Sequence, residues 1–327
     1  MDTSSDSRPG ATRREFLGRA ASAAAAVGAA AGATGWLLAR GGERDEPTAP
    51  PAFAGLRRAQ AGKIALAETD DHAAGVRAAV EAIGGMGRFV RAGDVVFIKP
   101  NAGFDRPPWV GATTSPAVVA AVVGLCRDAG AARVLVGDCS INDPAGCFRR
   151  SGIGPAARAA GAEVLLPRAG DFEDVRIGGR RLKTWKAFHR PFRRRGVNCV
   201  IGVPTAKTHA RSVISGAMKN WYGLLGGPRS LLHQDIDTVL ADLCGMMPRS
   251  LIVMDATRLL VRNGPTGGSR GDVRTAHRVL AGTDQVAIDA LTAEWLGHDP
   301  GRIGWLHLAE ARGLGTTDHE ARLIEAT

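Results

Sequence analysis

At 327 residues the chain is long enough to bury one large core or two small ones. Hydrophobic residues make up 45% of it and charged residues 23%, a globular composition that excludes a disordered, acidic or low-complexity chain. The formal net charge is +10, so an anionic partner is the first functional class to consider.

The chain opens on targeting sequence. Thr12-Arg13-Arg14-Glu15-Phe16-Leu17 is a twin-arginine export pattern, followed by a weakly apolar Ala/Gly run over 20–39 and a polar, Pro-rich stretch through Pro51. Residues 1–54 are therefore read as a twin-arginine signal and linker, outside the fold. Ala52-Phe53-Ala54 could serve as a cleavage site, and the apolar run is also long enough to stay as an anchor. The expected location is periplasmic or extracytoplasmic, free or N-terminally anchored, after passage through the twin-arginine translocase. That route carries folded proteins, often with a cofactor already loaded. Residues 1–48 hold six Lys/Arg and six Asp/Glu, so the mature part keeps the +10.

From residue 55 onward, short apolar runs alternate with helical patterns. Strands are expected at 63–67, 95–98, 133–136, 163–166, 199–203, 251–254 and 278–281, and helices at 73–83, 116–129, 235–246, 285–296 and 303–311. The strand runs lack polar alternation, as strands buried on both faces do. Ser115, Pro116 and Gly130 punctuate the 116–129 helix as N-cap, first turn and C′ residue. The pattern predicts a single α/β domain over 55–327, a mainly parallel, Rossmann-like sheet with helices on both faces. A basic insertion interrupts it near 171–196. Nine Lys/Arg fall between 176 and 195, which suits an anionic membrane or cell-wall surface, or simply a solvated face. For an exported chain, nucleic acid is not the expected partner.

Five cysteines are present and none forms C-x-x-C, so no ferredoxin-type cluster motif exists. Cys126 and Cys199 read as core; Cys139 and Cys147 could pair in an oxidising exterior.

In open α/β sheets ligands bind beyond the carboxyl ends of the strands. Those ends carry Lys99-Pro100-Asn101, Gly137-Asp138-Cys139-Ser140, the stretch from Pro204 to His209, and Asp255 with the later loop Asn263-Gly264-Pro265-Thr266-Gly267-Gly268. The densest chemistry is at 203–233, where Lys207, His209, Lys219 and His233 occupy 27 residues. His209 and His233 could hold a transition metal, although a spacing of 24 residues is a weak metal signal beside the plainer reading of two loop histidines. Lys219, among small and apolar neighbours, suits a base, a nucleophile or a phosphate contact, against the alternative of a snorkelling surface lysine. Lys207, with Thr205 and Thr208, suits a phosphate or carboxylate contact. The 263–268 loop is no P-loop, yet Asn263, Thr266 and Gly267 could present the backbone to an anion, or form an ordinary turn. Asp138 and Asp255 could ligate metal, orient a histidine or cap a segment; Asp284 caps the 285–296 helix. His72, His277, His298, His307 and His319 are left outside the site.

In order, Lys99-Pro100-Asn101, Thr113-Thr114-Ser115-Pro116, Val136-Gly137-Asp138, Val203-Pro204-Thr205-Ala206-Lys207-Thr208-His209, Gly216-Ala217-Met218-Lys219-Asn220, the 263–268 loop and Ala281-Gly282-Thr283-Asp284 resemble the family catalogued as domain of unknown function 362. The resemblance covers roughly 60–315. Many members carry ferredoxin-type cysteines, which this chain lacks. More distantly, 202–233 is similar to the core of the nickel-pincer lactate racemases. That resemblance implies that Lys219 anchors a pyridinium-derived nickel cofactor, His233 ligates nickel and His209 transfers a proton, with Asp138 near the reacting centre. Asp138-Cys139-Ser140 stands where those enzymes place a further acid/base histidine, and Lys99-Pro100-Asn101 where they grip phosphate. The implication is a cofactor or metal site rather than lactate racemisation. The expected function is that of an exported metal- or cofactor-dependent enzyme acting on a small anionic metabolite by proton or hydride transfer. The alternative is a cell-envelope binding protein for an anionic ligand, without catalysis.

Overall fold

The computed structural model describes residues 51–59 and 62–326. The first half runs β1 (Ile64–Glu68), α1 (His72–Ala82), β2 (Val95–Pro100), α2 (Pro116–Asp128), β3 (Arg133–Gly137), α3 (Pro144–Arg150), α4 (Ile153–Ala159) and β4 (Glu163–Leu165). The basic insertion is a hairpin, β5 (Phe172–Arg176) and β6 (Thr184–Phe188), followed by α5 (Arg190–Arg195). The second half continues with β7 (Cys199–Val203), β8 (Thr205–His209), β9 (Val213–Ser215), α6 (Ala217–Asn220), α7 (Ile236–Met246), β10 (Leu251–Leu260), β11 (Val273–Gly282), α8 (Gln285–Trp295), α9 (Gly304–Ala311) and β12 (Leu323–Glu325).

Ten of the strands form one mixed sheet in the order β12-β1-β11-β10-β7-β2-β3-β4, with β8 beside β10 and β9 beside β8, and β5 and β6 pair apart from it. From β10 to β4 neighbours are parallel, but β11 runs antiparallel to both β10 and β1. The mainly parallel Rossmann-like sheet expected from the sequence is thus only half of what forms. The cause lies at 261–272: this connection carries no crossover helix, only a single 3₁₀ turn at Arg270–Asp272, so β11 folds straight back along β10.

Helices cover both faces, as expected. Successive residues of a strand point to opposite sides. Val96, Ile98, Val134, Val136 and Ile201 therefore join Val76 and Val80 of α1 and Val118 and Val122 of α2 in one core. Phe97, Leu135, Val200 and Ile252 join Phe192 of α5, Leu240 of α7 and Ile288 of α8 in the other. The punctuation of α2 holds in part. Pro116 opens it and Gly130 follows it at φ 87°, but the Ser115 side chain makes no cap bond; its N–H donates to Asp255 at 2.6 Å instead. Asp284 caps α8 by accepting from the N–H groups of Val286 and Ala287.

The folded body begins before residue 55. The Ala52 N–H donates to the Arg176 carbonyl at 2.9 Å, and Phe53 is buried with its ring edge-on to His189 and Phe192. The composition-based boundary at 54 therefore cuts through packed residues. The Arg13-Arg14 pattern and the apolar run lie outside the described residues. Among the described residues no helix is long and apolar enough to cross a membrane. All five cysteines are buried free thiols, so the pairing of Cys139 with Cys147 is not found; each sits in close packing that a thiol fills as a small hydrophobe.

The basic insertion is less free than its charge suggests. Glu173 binds His189 Nδ1 at 2.8 Å and the Arg193 guanidinium at 2.9 Å, and Glu163 takes Arg195. Trp185 Nε1 donates to the Gly226 carbonyl at 2.9 Å, docking the hairpin on the segment after α6. At its turn, Asp242 of α7 accepts the N–H groups of Arg180, Arg181 and Leu182 and pairs with Arg312 at 2.7 Å. Replacing the wholly buried Asp242 by Ala should cost about 3–5 kcal/mol in urea unfolding, because Arg312 and three N–H groups lose their acceptor. Glu163→Ala, on the surface, should cost under about 1 kcal/mol.

Candidate functional site

Three parallel strands end side by side. Lys99 of β2 lies opposite Gly202 of β7, and Ile98 opposite Val136 of β3. Beyond Val203 the chain does not enter a loop, as the polar run suggested. It passes Pro204 and continues as β8, whose period of two puts Thr205, Lys207 and His209 on one side. Thr205 and Lys207 are buried. β9 turns back along β8, and Gly216 leads into α6. Asp289 of α8 accepts the N–H groups of Ala217 and Met218, at 2.5 and 2.9 Å, and so fixes the start of α6. A Cβ at Gly216 would collide with that carboxylate. With α6 held this way, Met218 and Trp221 enter the core and Lys219 faces a cavity of about 240 Å³.

Lys99 and Asp138 form the floor of this cavity. Lys99 Nζ stands 2.8 Å from Asp138 Oδ1, with both side chains buried. The ammonium also donates to the Pro100 carbonyl at 2.8 Å and to Asn220 Oδ1 at 3.0 Å, while Asp138 Oδ2 accepts the Ala102 N–H at 2.7 Å. Gly223 crosses directly over the pair, and its carbonyl accepts the Cys139 N–H at 2.9 Å. A Cβ there would lie 1.9 Å from Asp138 Oδ1 and 2.5 Å from Lys99 Nζ, so glycine is required by this close approach.

The walls carry further cations. Lys207 Nζ donates to Asn101 Oδ1 at 3.1 Å and to the Ala112 carbonyl, and sits 4.9 Å from the Phe104 ring centre. Lys219 Nζ lies 4.5 Å over the Tyr222 ring; no hydrogen-bond acceptor for it is found among the described residues. Arg229 spans the entrance, donating to the carbonyls of Cys139 at 2.8 Å and Ser140 at 3.2 Å. Asp138 is the one carboxylate in the lining formed by the described residues.

The two histidines are held in different tautomers. His209 Nδ1 accepts the N–H groups of Arg211 and Ser212, at 3.1 and 3.3 Å, so a neutral His209 carries its proton on Nε2. The Tyr222 hydroxyl donates to the Arg229 carbonyl at 2.6 Å and lies 3.1 Å from His233 Nδ1. That oxygen can then only accept, which puts the His233 proton on Nδ1 and leaves a lone pair on Nε2. The rings are stacked, 5.9 Å apart and 9° from parallel.

Of the residues expected here, Lys99, Asn101, Asp138, Lys207, His209, Lys219 and His233 line one cavity. Asn263, Thr266 and Gly267 do not; their loop contributes Pro265. Asn263 Nδ2 is taken by Asp272 at 2.8 Å, and the Gly267 N–H donates back to the Asn263 carbonyl at 2.9 Å. The loop spends its polar groups on its own turn. Asp255 is used elsewhere, by Ser115 and Thr257. Asn220, Tyr222 and Arg229 were not picked out. Tyr222 had a signal, being the chain's single tyrosine beside Lys219; Arg229 had none in so Arg-rich a sequence.

The family profile described as domain of unknown function DUF362 matches residues 96–294, well over half the chain. The chain belongs to the DUF362 family. The match contains every residue that lines the cavity. Among relatives, the thylakoid-associated protein sll1697 of Synechocystis sp. is 26% identical over 255 residues, covering 76% of this chain and 77% of that protein.

The DUF362 cavity disfavours its own charges. Burial, with the nearby Lys219 charge next, takes Lys207 down to about 7. Burial, then Arg229 and Lys99, takes Lys219 down to about 8. Burial, then Lys219 and Lys207, takes His209 down to about 3, so it is neutral at any ordinary pH. His233 is lowered by burial and the Lys219 charge, and Lys99 is lowered by burial against the pull of Asp138. For Nε2 of His209 to hold a metal, its proton would have to move to Nδ1, against two N–H donors. No group of three or more His, Cys, Asp or Glu suited to a metal occurs among the described residues. Lys219 and His233, anchor and ligand in the racemase resemblance, do both pack on Tyr222.

Two outcomes follow for the ligand-free protein. Gly223→Ala should cost about 3–5 kcal/mol in denaturant unfolding, by forcing the buried pair apart. Lys207 has a folded pKa below its unfolded one, so the unfolded chain binds more protons between pH 7 and about 10.5, and stability should rise with pH across that window. Lys207→Met should flatten that slope and stabilise the protein at pH 7 by about 1–4 kcal/mol, measured by urea unfolding at pH 7 and 9.5.

Proposed function

We propose that this DUF362 protein is an enzyme that binds a small anionic metabolite in the cavity and moves a proton to or from it. One observation carries this reading: Lys99, Lys207, Lys219 and Arg229 line a single cavity against one carboxylate, Asp138. Burying unpaired charge costs several kcal/mol per ion, and a bound anion is what would offset it.

The groups divide the work. Lys207 and Arg229, tethered to carbonyls, hold negative charge. His209, neutral with its proton on Nε2, donates a hydrogen bond to an oxygen on which charge develops. His233 Nε2 accepts a proton, its tautomer set by Tyr222, and Lys219, near neutral pKa, acts as holder or second base. The location reading has two supports, the Arg13-Arg14 pattern and the relative's name as a thylakoid-associated protein, and both favour work at or beyond a membrane.

Thermal shift and calorimetry against phosphate, pyrophosphate, short carboxylates and 2-hydroxy acids test the binding step. A hit should stabilise the protein, weaken as pH rises past about 7 and then about 8 while Lys207 and Lys219 lose their charges, and lose at least about tenfold in Lys207→Met and Lys219→Met. Proton transfer should appear as exchange of a ligand C–H in D2O, abolished by His233→Gln with binding kept. Binding without exchange would leave a binding protein and no enzyme; no stabilising anion would sink both.

A further inference from the structure

The rim of the cavity bears on the kind of ligand, given the anion-binding reading on which this inference rests. Among the described residues the exposed large hydrophobic side chains are Trp109, Ile141, Val213 and Leu231, at 39, 61, 36 and 50%. Single exposed apolar residues scattered over a surface are ordinary. Three of these lie on the segments that carry the cavity's side chains, and Ile141 is itself part of the lining. Ile141 lines the cavity and follows Ser140, whose carbonyl is held by Arg229. Leu231 sits midway between Arg229 and His233, on the 3₁₀ turn Arg229–Asp235 that carries both. Val213 lies opposite His209 across the β8–β9 hairpin.

Val213 adds an independent sign. Its φ is 66°, in the left-handed region that a β-branched residue adopts only at a cost. That cost is borne by a side chain about a third exposed and outside the core clusters, so core packing does not explain it. An apolar rim above a cationic floor complements a molecule with the same two parts. Beyond the Lys99–Asp138 pair, Lys207, Lys219 and Arg229 offer more positive charge than one carboxylate would use, which favours a dianionic head.

We propose that the ligand is an amphiphile: a phosphate monoester head held by Lys207, Lys219 and Arg229, with an alkyl tail leaving over Ile141, Val213 and Leu231. The tail gains contact with side chains that are otherwise hydrated, so affinity depends on its length.

Calorimetry on the full chain, with methyl, butyl and octyl phosphate below their micelle concentrations, tests this. Tightening of about two- to fourfold per added methylene is expected, at least about a hundredfold from methyl to octyl. The double variant Ile141→Ser/Leu231→Ser, altered only at exposed positions, should lose at least about tenfold of the octyl gain and bind methyl phosphate unchanged. Phosphatidylcholine vesicles carrying phosphatidic acid separate the sources: sedimentation with the vesicles that needs Ile141 and Leu231 assigns the head to a bilayer lipid, and its absence alongside octyl phosphate binding assigns a free monomer. Equal affinity for methyl and octyl phosphate, or an octyl gain that survives in the double variant, would overturn the amphiphile while leaving an anion site. Failure of every phosphate to bind would remove the anion reading as well.

Discussion

Lys99 and Asp138 are buried side by side where three strands end, and the site is arranged around that pair. A buried ion pair is tolerated only when its remaining protons and lone pairs also find partners. Here the ammonium donates to the Pro100 carbonyl and to Asn220, and Asp138 Oδ1 stands beside it as the counter-charge at 2.8 Å. The second Asp138 oxygen takes the backbone after β2. These bonds join the ends of β2 and β3 to the last residue of α6, and they decide where the chain after α6 can run. Gly223 lies against the pair because no side chain is in the way. Tyr222 and Arg229 follow from that path.

Around this pair stand cations that have no carboxylate beside them. Lys207 has two acceptors and a ring face, and Lys219 only a ring face. The contrast separates structural charge from working charge within one cavity. Asp289 shows the same economy from below. It is wholly buried, and burial lifts it to about 7, yet its two oxygens are given to the start of α6. A carboxylate is kept in the core to aim Lys219, one turn away, and not to neutralise it. Preorganisation of this kind trades stability for a fixed side-chain direction.

Much of this was legible because strands buried on both faces are apolar without alternation, and their polar exits stand out. Lys99, Asp138 and the 203–209 run were found that way. What escaped did so for physical reasons. β11 is ten residues long, but its first half, with Arg274, Thr275 and His277, is too polar and exposed to show as a strand, so the antiparallel return went unseen. β8 alternates over five residues, yet Lys at a buried position hides the pattern from any hydrophobicity-based reading. The role of Asp138 depended on a lysine 39 residues earlier, and the tautomers of His209 and His233 on backbone groups and a hydroxyl. Asn263, Thr266 and Gly267 had the right composition for an anion loop, but composition does not reveal that Asp272 would claim the side chain.

Phe53 bears on where this end of the chain can be cut. Its ring is wedged between His189 and Phe192, and the residue before it is tied to the Arg176 carbonyl. A peptidase cutting after Ala54 needs that stretch drawn out as an extended strand in its own cleft. In a chain already folded, the segment must first be pulled from the core, at about 3–5 kcal/mol for a buried phenyl ring. Trimming at this point and completion of the fold therefore compete for the same residues.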